Sequence, residues 1–379
     1  MDDDEPTAAA VADMFAAARR GQAVTVLAAV RASPKLLGAR DDVNRWTVLH
    51  IFARLSMVKP VQQLLELGAD VESRDALFRS PLLLAARADA SAPKLVAAEA
   101  EALPPPPPEL EAKVRVRMIE QTLAALLRGG ARVTARDNFG LTALHHAAQA
   151  GQTEAVKFLL SLNTALSLPR APLEAETNAE ERPLHLAAAG GHTATVRTML
   201  AAGAHHGKTN YLGQTALHLA VAAGDTPAAL ATVAEMIKPE WRADLSPAAA
   251  DGTTPLHVAA AGGHDEMVRA LLHARNVKRN GGGRSVELEP LDRAGRDPAA
   301  VAREAGFDDV VSLLEAAARA AAEHKARAAA EQDAALRAAF ATKASVSARP
   351  AMPEVPEEGA EAEDEEPLSM QEYEARRAP

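Results

Sequence analysis

The chain has no cysteine. Disulfides and thiolate-ligated zinc are thereby excluded, and so is a cysteine nucleophile. Aromatic residues make up only 3% of a chain that is 48% apolar, with alanine supplying much of the difference. Such a core suits helices whose small side chains let backbones approach. It disfavours an all-β fold, which draws on branched and aromatic residues. No apolar run approaches the roughly 20 residues that span a bilayer. The opening MDDDEP lacks the basic and apolar regions of a secretory signal, and its acidity is the opposite of an arginine-rich transit peptide. A reducing compartment, the cytoplasm, is the expected location, with nuclear, ciliary or cytoskeletal association also compatible.

What charge there is lies at the ends. The net charge is −10 over 379 residues. Asp2, Asp3, Asp4 and Glu5 supply four negatives, and residues 351–379 hold ten acids against two arginines, so everything between is near +2. No basic stripe stands out, which disfavours a nucleic-acid partner.

The dominant feature is repetition. TVLHIFARLSMVKPVQQLLELGAD starts at Thr47, TALHHAAQAGQTEAVKFLL at Thr142 and RPLHLAAAGGHTATVRTML at Arg182. TALHLAVAAGDTPAAL starts at Thr215 and TPLHVAAAGGHDEMVRALL at Thr254. One slot is filled in turn by His50, Leu83, His145, His185, His218, His257 and Ala300, at intervals of 33, 62, 40, 33, 39 and 43 residues. A repeat of 33 with insertions of 29, 7, 6 and 10 residues accounts for all six. Each unit carries two short apolar patterns at helical spacing, such as Ala143, Leu144, Ala147 and Ala148, then Ala155, Val156, Leu159 and Leu160. Thr before the first pattern is a natural N-cap. The proline that often follows sits in the first helical turn, where its missing N–H costs nothing. One such helix pair cannot bury its apolar face alone, so the units must stack.

These strings resemble the ankyrin-repeat family, whose signature is T-P-L-H-x-A followed by G-H and a Leu-Leu pair. The resemblance implies an all-α solenoid of about seven helix-pair repeats with short hairpin loops, over residues 13–316. Met14 to Ala39 is expected as an N-terminal cap, and RDPAAVAREAGFDDVVSLLEAA as an end repeat whose charged positions face water. Residues 1–12 are expected to be disordered. The second repeat is interrupted at about 89–115 by a proline-rich insertion. There, Pro104 to Pro108 form either a stiff spacer or a ligand for a proline-recognising domain, the spacer being the plainer reading. Segments near Leu168 to Thr177 and Asn276 to Glu289 are loops. Gly281, Gly282, Gly283, Arg284 and Ser285 lack the lysine of a phosphate loop and read as a linker. Residues 317–344, rich in Ala, Glu, Lys and Arg, predict a helix. Residues 345–379 predict a disordered acidic tail.

The residues give no support to catalysis. GxSxG, Walker and GxGxxG patterns are absent. Five of the 12 histidines share the repeated slot, where the resemblance implies that the ring bridges backbone groups. His192 and His264 occupy the family's G-H slot. The pairs His145–His146 and His205–His206 lack a companion carboxylate motif, and adjacent helical residues do not face each other. No cofactor and no metal is expected.

The expected role is a non-catalytic scaffold or adaptor that binds a protein on a concave surface. The alternative is a non-catalytic structural or targeting subunit of a larger assembly. The resemblance puts variable contact positions around D-x-x-G-x-T and just after the alanines of the first helix. The aspartate slot reads as Asp42, Asp75, Asp137, Asn210 and Asp292, and Arg45 and Phe78 replace its glycine. Candidate partner-binding residues are Trp46, Leu77, Phe78, Arg79, Arg87, Asn138, Phe139, Leu141, Tyr211 and Leu212. Scarce aromatics at exposed tips are what interface anchors use.

Overall fold

Thr, Leu and His at fixed offsets start four of the seven repeats, and the geometry shows why. The computed structural model describes residues 7–88, 108–162, 171–241, 243–276 and 287–346. Among them sixteen α-helices follow one another in pairs. The pairs are α1 (Ala8–Arg19) with α2 (Ala23–Ala32), α3 (Val48–Arg54) with α4 (Val58–Glu66), and α5 (Pro81–Arg87) with α6 (Pro108–Arg128). Next come α7 (Ala143–Gln149) with α8 (Thr153–Leu160), α9 (Pro183–Ala189) with α10 (Thr193–Ala201), and α11 (Ala216–Ala222) with α12 (Pro227–Met236). The last are α13 (Pro255–Gly262) with α14 (Asp265–Asn276) and α15 (Pro298–Ala305) with α16 (Asp308–Val346). One cap pair and seven repeats result, as the spacing predicts.

The chain divides into two units, Met1–Ala321 and Ala322–Pro379. In the first unit, the first helices of successive repeats pack in one row, α3 on α5, α5 on α7 and so on to α15. The second helices form another row from α2 to α14. Between the rows lie Phe52, Leu64, Leu83, Leu126, Leu159, Met199, Val233 and Leu271, all fully buried. Alanines 147, 148, 187, 188, 259 and 260 are also fully buried, which is the close helix approach that the composition anticipates. In the second unit, the described side chains 322–337 are exposed. Ion pairs one helical turn apart, Arg327–Glu331 and Arg337–Asp333, lie along that stretch.

The motif histidine joins one repeat to the next. Thr215 N–H donates to His218 Nδ1 at 3.1 Å. With Nδ1 accepting, the ring proton sits on Nε2, which donates to the Thr253 carbonyl of the following loop at 3.1 Å. His50, His145, His185 and His257 repeat the arrangement, reaching the carbonyls of Arg79, Glu181, Gln214 and Arg296. In the second repeat Leu83 fills the slot, fully buried, and makes no such bond. In the seventh, Asp297 caps α15 directly by accepting from Ala300 N–H.

Several boundaries differ from expectation. Helix α1 begins at Ala8, with Thr7 Oγ1 accepting from Ala10 N–H, so residues 8–12 belong to the cap pair. Helix α6 starts at Pro108 and takes up the end of the predicted insertion. Helix α16 is continuous from Asp308, so the alanine-rich helix extends the last repeat rather than starting anew at 317. Residues 1–6, Pro104 to Pro107, the Gly281–Ser285 stretch and the tail beyond 346 lie outside the described residues.

Candidate functional site

The loops between repeats end in tight tips, built in six of the seven repeats on one buried side-chain acceptor. Asp75 Oδ1 accepts from the N–H groups of Leu77 and Arg79 at 2.9 and 2.8 Å. Asp137 Oδ1 does the same for Phe139 and Leu141, and Asn210 Oδ1 for Leu212 and Gln214. Thr177 Oγ1 fills the role in the fourth repeat, accepting from Ala179 and Glu181. In the first repeat the acceptor is Asp41, not Asp42. Its Oδ1 takes the N–H groups of Asn44 and Trp46 at 3.0 and 2.8 Å, and the turn holds one residue more. Phe78 and Arg45 occupy the glycine position with φ of +60° and +58°. They adopt the left-handed conformation that Gly140 and Gly213 adopt elsewhere, at a cost of roughly 1–2 kcal/mol each.

Neighbouring tips are hydrogen-bonded edge to edge. Ala76 N–H donates to Asn44 O, Asn138 to Leu77 O, Asn178 to Phe139 O, Tyr211 to Ala179 O, Ala250 to Leu212 O and Arg293 to Asp251 O, all at 2.9–3.2 Å. A second ladder runs through arginines. Arg40 donates to Arg74 O, Arg74 to Arg136 O at 3.3 Å, and Arg136 to Glu176 O at 2.9 Å. The tips of the array are therefore held in register by backbone and guanidinium donors alike.

Between these tips and the first-helix row lies a groove of about 370 Å³ spanning the second to fourth repeats. Leu77, Phe139 and Leu141 line its tip side, His146, Gln149 and Leu186 its helix side, and Arg87 and Glu181 contribute charge. A smaller hollow of about 170 Å³ lies beside it, lined by Trp46, Arg54, Arg79, Leu84 and Arg87. Arg79 and Arg87 line both. Burial alone would raise the Asp75 carboxyl, but Arg79 and the Trp46 N–H outweigh it and hold it below its ordinary range. The same contest at Asp137 is won by His146, whose Nε2 donates to Oδ2 at 3.0 Å, and by the amides of Leu141 and Phe139.

The model of the family described as ankyrin repeats (3 copies) matches residues 118–210, 165–240 and 184–281. Residues 118–281 are ankyrin repeats. Among curated relatives, the nuclear factor NF-kappa-B p105 subunit of Gallus gallus is 30% identical over 150 residues, 39% of this chain and 14% of that protein. A transient receptor potential cation channel subfamily A member 1 homolog of Caenorhabditis elegans is 32% identical over 152 residues, 40% of this chain and 12% of that protein. Human neurogenic locus notch homolog protein 1 is 30% identical over 153 residues, 39% of this chain and 6% of that protein. The chain thus spans a small part of the length of these relatives. Ankyrin repeats are protein–protein interaction modules in general. No helix among the described residues is long and apolar enough to cross a membrane.

Of the residues read as partner-binding, the ankyrin groove unites Leu77, Arg79, Arg87, Phe139 and Leu141. Phe78, Asn138, Tyr211 and Leu212 stand at the tips outside its lining, with Phe78 and Tyr211 each 63% exposed. Trp46 departs from the expected exposed tip. Its indole is half-buried against the core, and its Nε1–H donates to Asp75 Oδ2 at 3.0 Å. The Arg54 guanidinium lies 5.3 Å from its ring centroid. Sequence reasoning did not select Arg54, His146, Gln149, Glu181 or Leu186. Arg54 and Gln149 were findable, because each occupies the position of Arg87 in its own repeat, four residues after the histidine slot. His146 and Leu186 share the position directly after that slot.

Proposed function

We propose that the chain is a non-catalytic adaptor whose ankyrin groove across the second to fourth repeats holds a segment of a partner protein. The supporting observation is the groove's composition. Phe139 at 56% and Leu77 at 38% exposure offer apolar surface to solvent on tips that are already hydrogen-bonded to their neighbours. Preordered apolar anchors beside a few charges suit an interface core with a polar rim. Because the tips need not reorganise, binding there costs little ordering entropy.

Replacing Phe139 and Leu77 together by alanine tests the reading. Partners recovered on the wild-type chain should bind the double variant more weakly by about 1–3 kcal/mol per anchor. The melting temperature should hold, since neither side chain is part of the buried core. Undiminished binding by a folded double variant would place the interface elsewhere on the array.

A further inference from the structure

We infer that the occupant of this groove is an extended peptide with an acidic end and a bulky apolar end, docked with its acidic end toward Arg54 and Arg87. This rests on the groove being the partner site. The lining is graded along the array. Four residues after the histidine slot, successive repeats carry Arg54, Arg87, Gln149, Ala189, Ala222 and Ala261. Over the first six repeats the row therefore runs from guanidinium through amide to methyl, and the seventh carries Glu304. On the facing tips, two residues after the acceptor slot (filled by Ala249 in the sixth repeat), the second to sixth repeats carry Leu77, Phe139, Ala179, Leu212 and Asp251. Large apolar groups thus face the point where the helix row loses its charge.

The two acids in the floor are taken up by other partners. The Asp75 side chain is 0% exposed and bonded to Arg79, and that of Asp137 is 2% exposed and bonded to His146. Both are spent on holding the tips. Arg87 faces solvent, so a peptide carboxylate meets its N–H groups before it meets the floor. Glu181 lines the other end of the groove, and burial pushes its carboxyl above the ordinary range. A peptide carboxylate placed there meets desolvation and a like charge, whereas one at Arg87 gains a charge-assisted hydrogen bond. The two ends thus set orientation as well as composition. Reading a peptide by charge at one end and apolar pockets beyond combines steering with anchoring.

The experiment is a display selection of random peptides of about twelve residues on the full chain. Fluorescence polarisation of the enriched sequences follows, at about 50 mM and about 300 mM salt. Enriched peptides should pair an acidic run with Leu, Phe or Trp. The Arg54→Glu/Arg87→Glu variant should bind them at least about tenfold more weakly at the lower salt. Moving the acidic run to the opposite terminus of a peptide should weaken wild-type binding by a similar factor, and this arm needs no variant to fold. Peptides that lose binding with Phe139→Ala yet carry no acidic run, or tolerate the charge reversal, would overturn the inference while leaving the groove as the site. Peptides indifferent to both Phe139→Ala and the charge reversal would overturn the groove reading too. A selection that enriches nothing overturns the peptide inference alone, since a folded partner surface could still use the groove.

Discussion

Two seams of the array solve one problem differently. Between the fifth and sixth repeats, His218 takes an N–H from Thr215 and gives its own to the Thr253 carbonyl, so helix start and next loop share one buried ring. Between the second and third, Leu83 fills the same volume without a directional bond, and the Ser80 hydroxyl beside it has no hydrogen-bond partner. That seam relies on apolar burial, on the tip bond from Asn138 N–H to Leu77 O, and on more exposed links. Among these are Gln152 Nε2 to Ala88 O at 2.7 Å, Arg74 to Arg136 O at 3.3 Å and the Arg132–Glu72 ion pair at 3.2 Å. A ring clamps both position and angle, whereas a leucine side chain specifies volume only. The groove crosses the seam that is clamped least, where small adjustments cost least.

Acid should separate the two kinds of seam most strongly. Burial holds His50, His145 and His185 at about 4 against an ordinary 6.5, and lowers His218 as well. The unfolded chain therefore binds protons first as pH falls. The stabilisation is whole above pH 6.5 and is lost progressively down to about pH 4, at up to about 3 kcal/mol per ring. Urea titrations at neutral pH and at the lower end of that window should show the loss. Hydrogen exchange should show the Leu83 seam responding less than those carrying a ring. A stability flat across the window would mean that the rings are not held neutral.

Single substitutions come next. Leu83→Ala should cost about 2–5 kcal/mol by leaving a cavity. His218→Ala should cost about 1–3 kcal/mol, because the Thr215 N–H and the Thr253 carbonyl lose their shared partner inside the fold. Equal pH dependence of His218→Ala and the wild type would contradict the role given to that ring. Smallest is the reverse exchange, Leu83→His with Ser80→Thr. It installs the missing clamp and should stabilise by about 1 kcal/mol in denaturant unfolding. A net loss would show that the second seam lacks a carbonyl in reach, and that its leucine is required by shape.

Much of this was legible in the strings themselves. Thr, Leu and His at fixed offsets, read with the 33-residue interval, identify helix starts from Val48 to Pro255. Slots without a distinctive residue were harder. Asp41 and Asp42 are adjacent, and only the amides of Asn44 and Trp46 show which one turns the loop. Thr177 was invisible as a tip acceptor because its repeat has no aspartate there. That the Trp46 ring is half-buried and gives its N–H to Asp75 is visible only once the two repeats are stacked.

By itself the sequence determined the class of structure, the number of repeats and which face of each helix is buried. These follow from local periodicity and from offsets inside a single unit, and each unit repeats the same answer. The tertiary structure decided which tips are exposed, which carboxylates are spent internally, and where a groove opens. Those depend on what the next repeat presents across the seam, some 33 or more residues away along the chain. The ring of His50 and the carbonyl of Arg79, 29 residues apart, meet only once two repeats have stacked. The same stacking brings Arg87 and Phe139 to one groove.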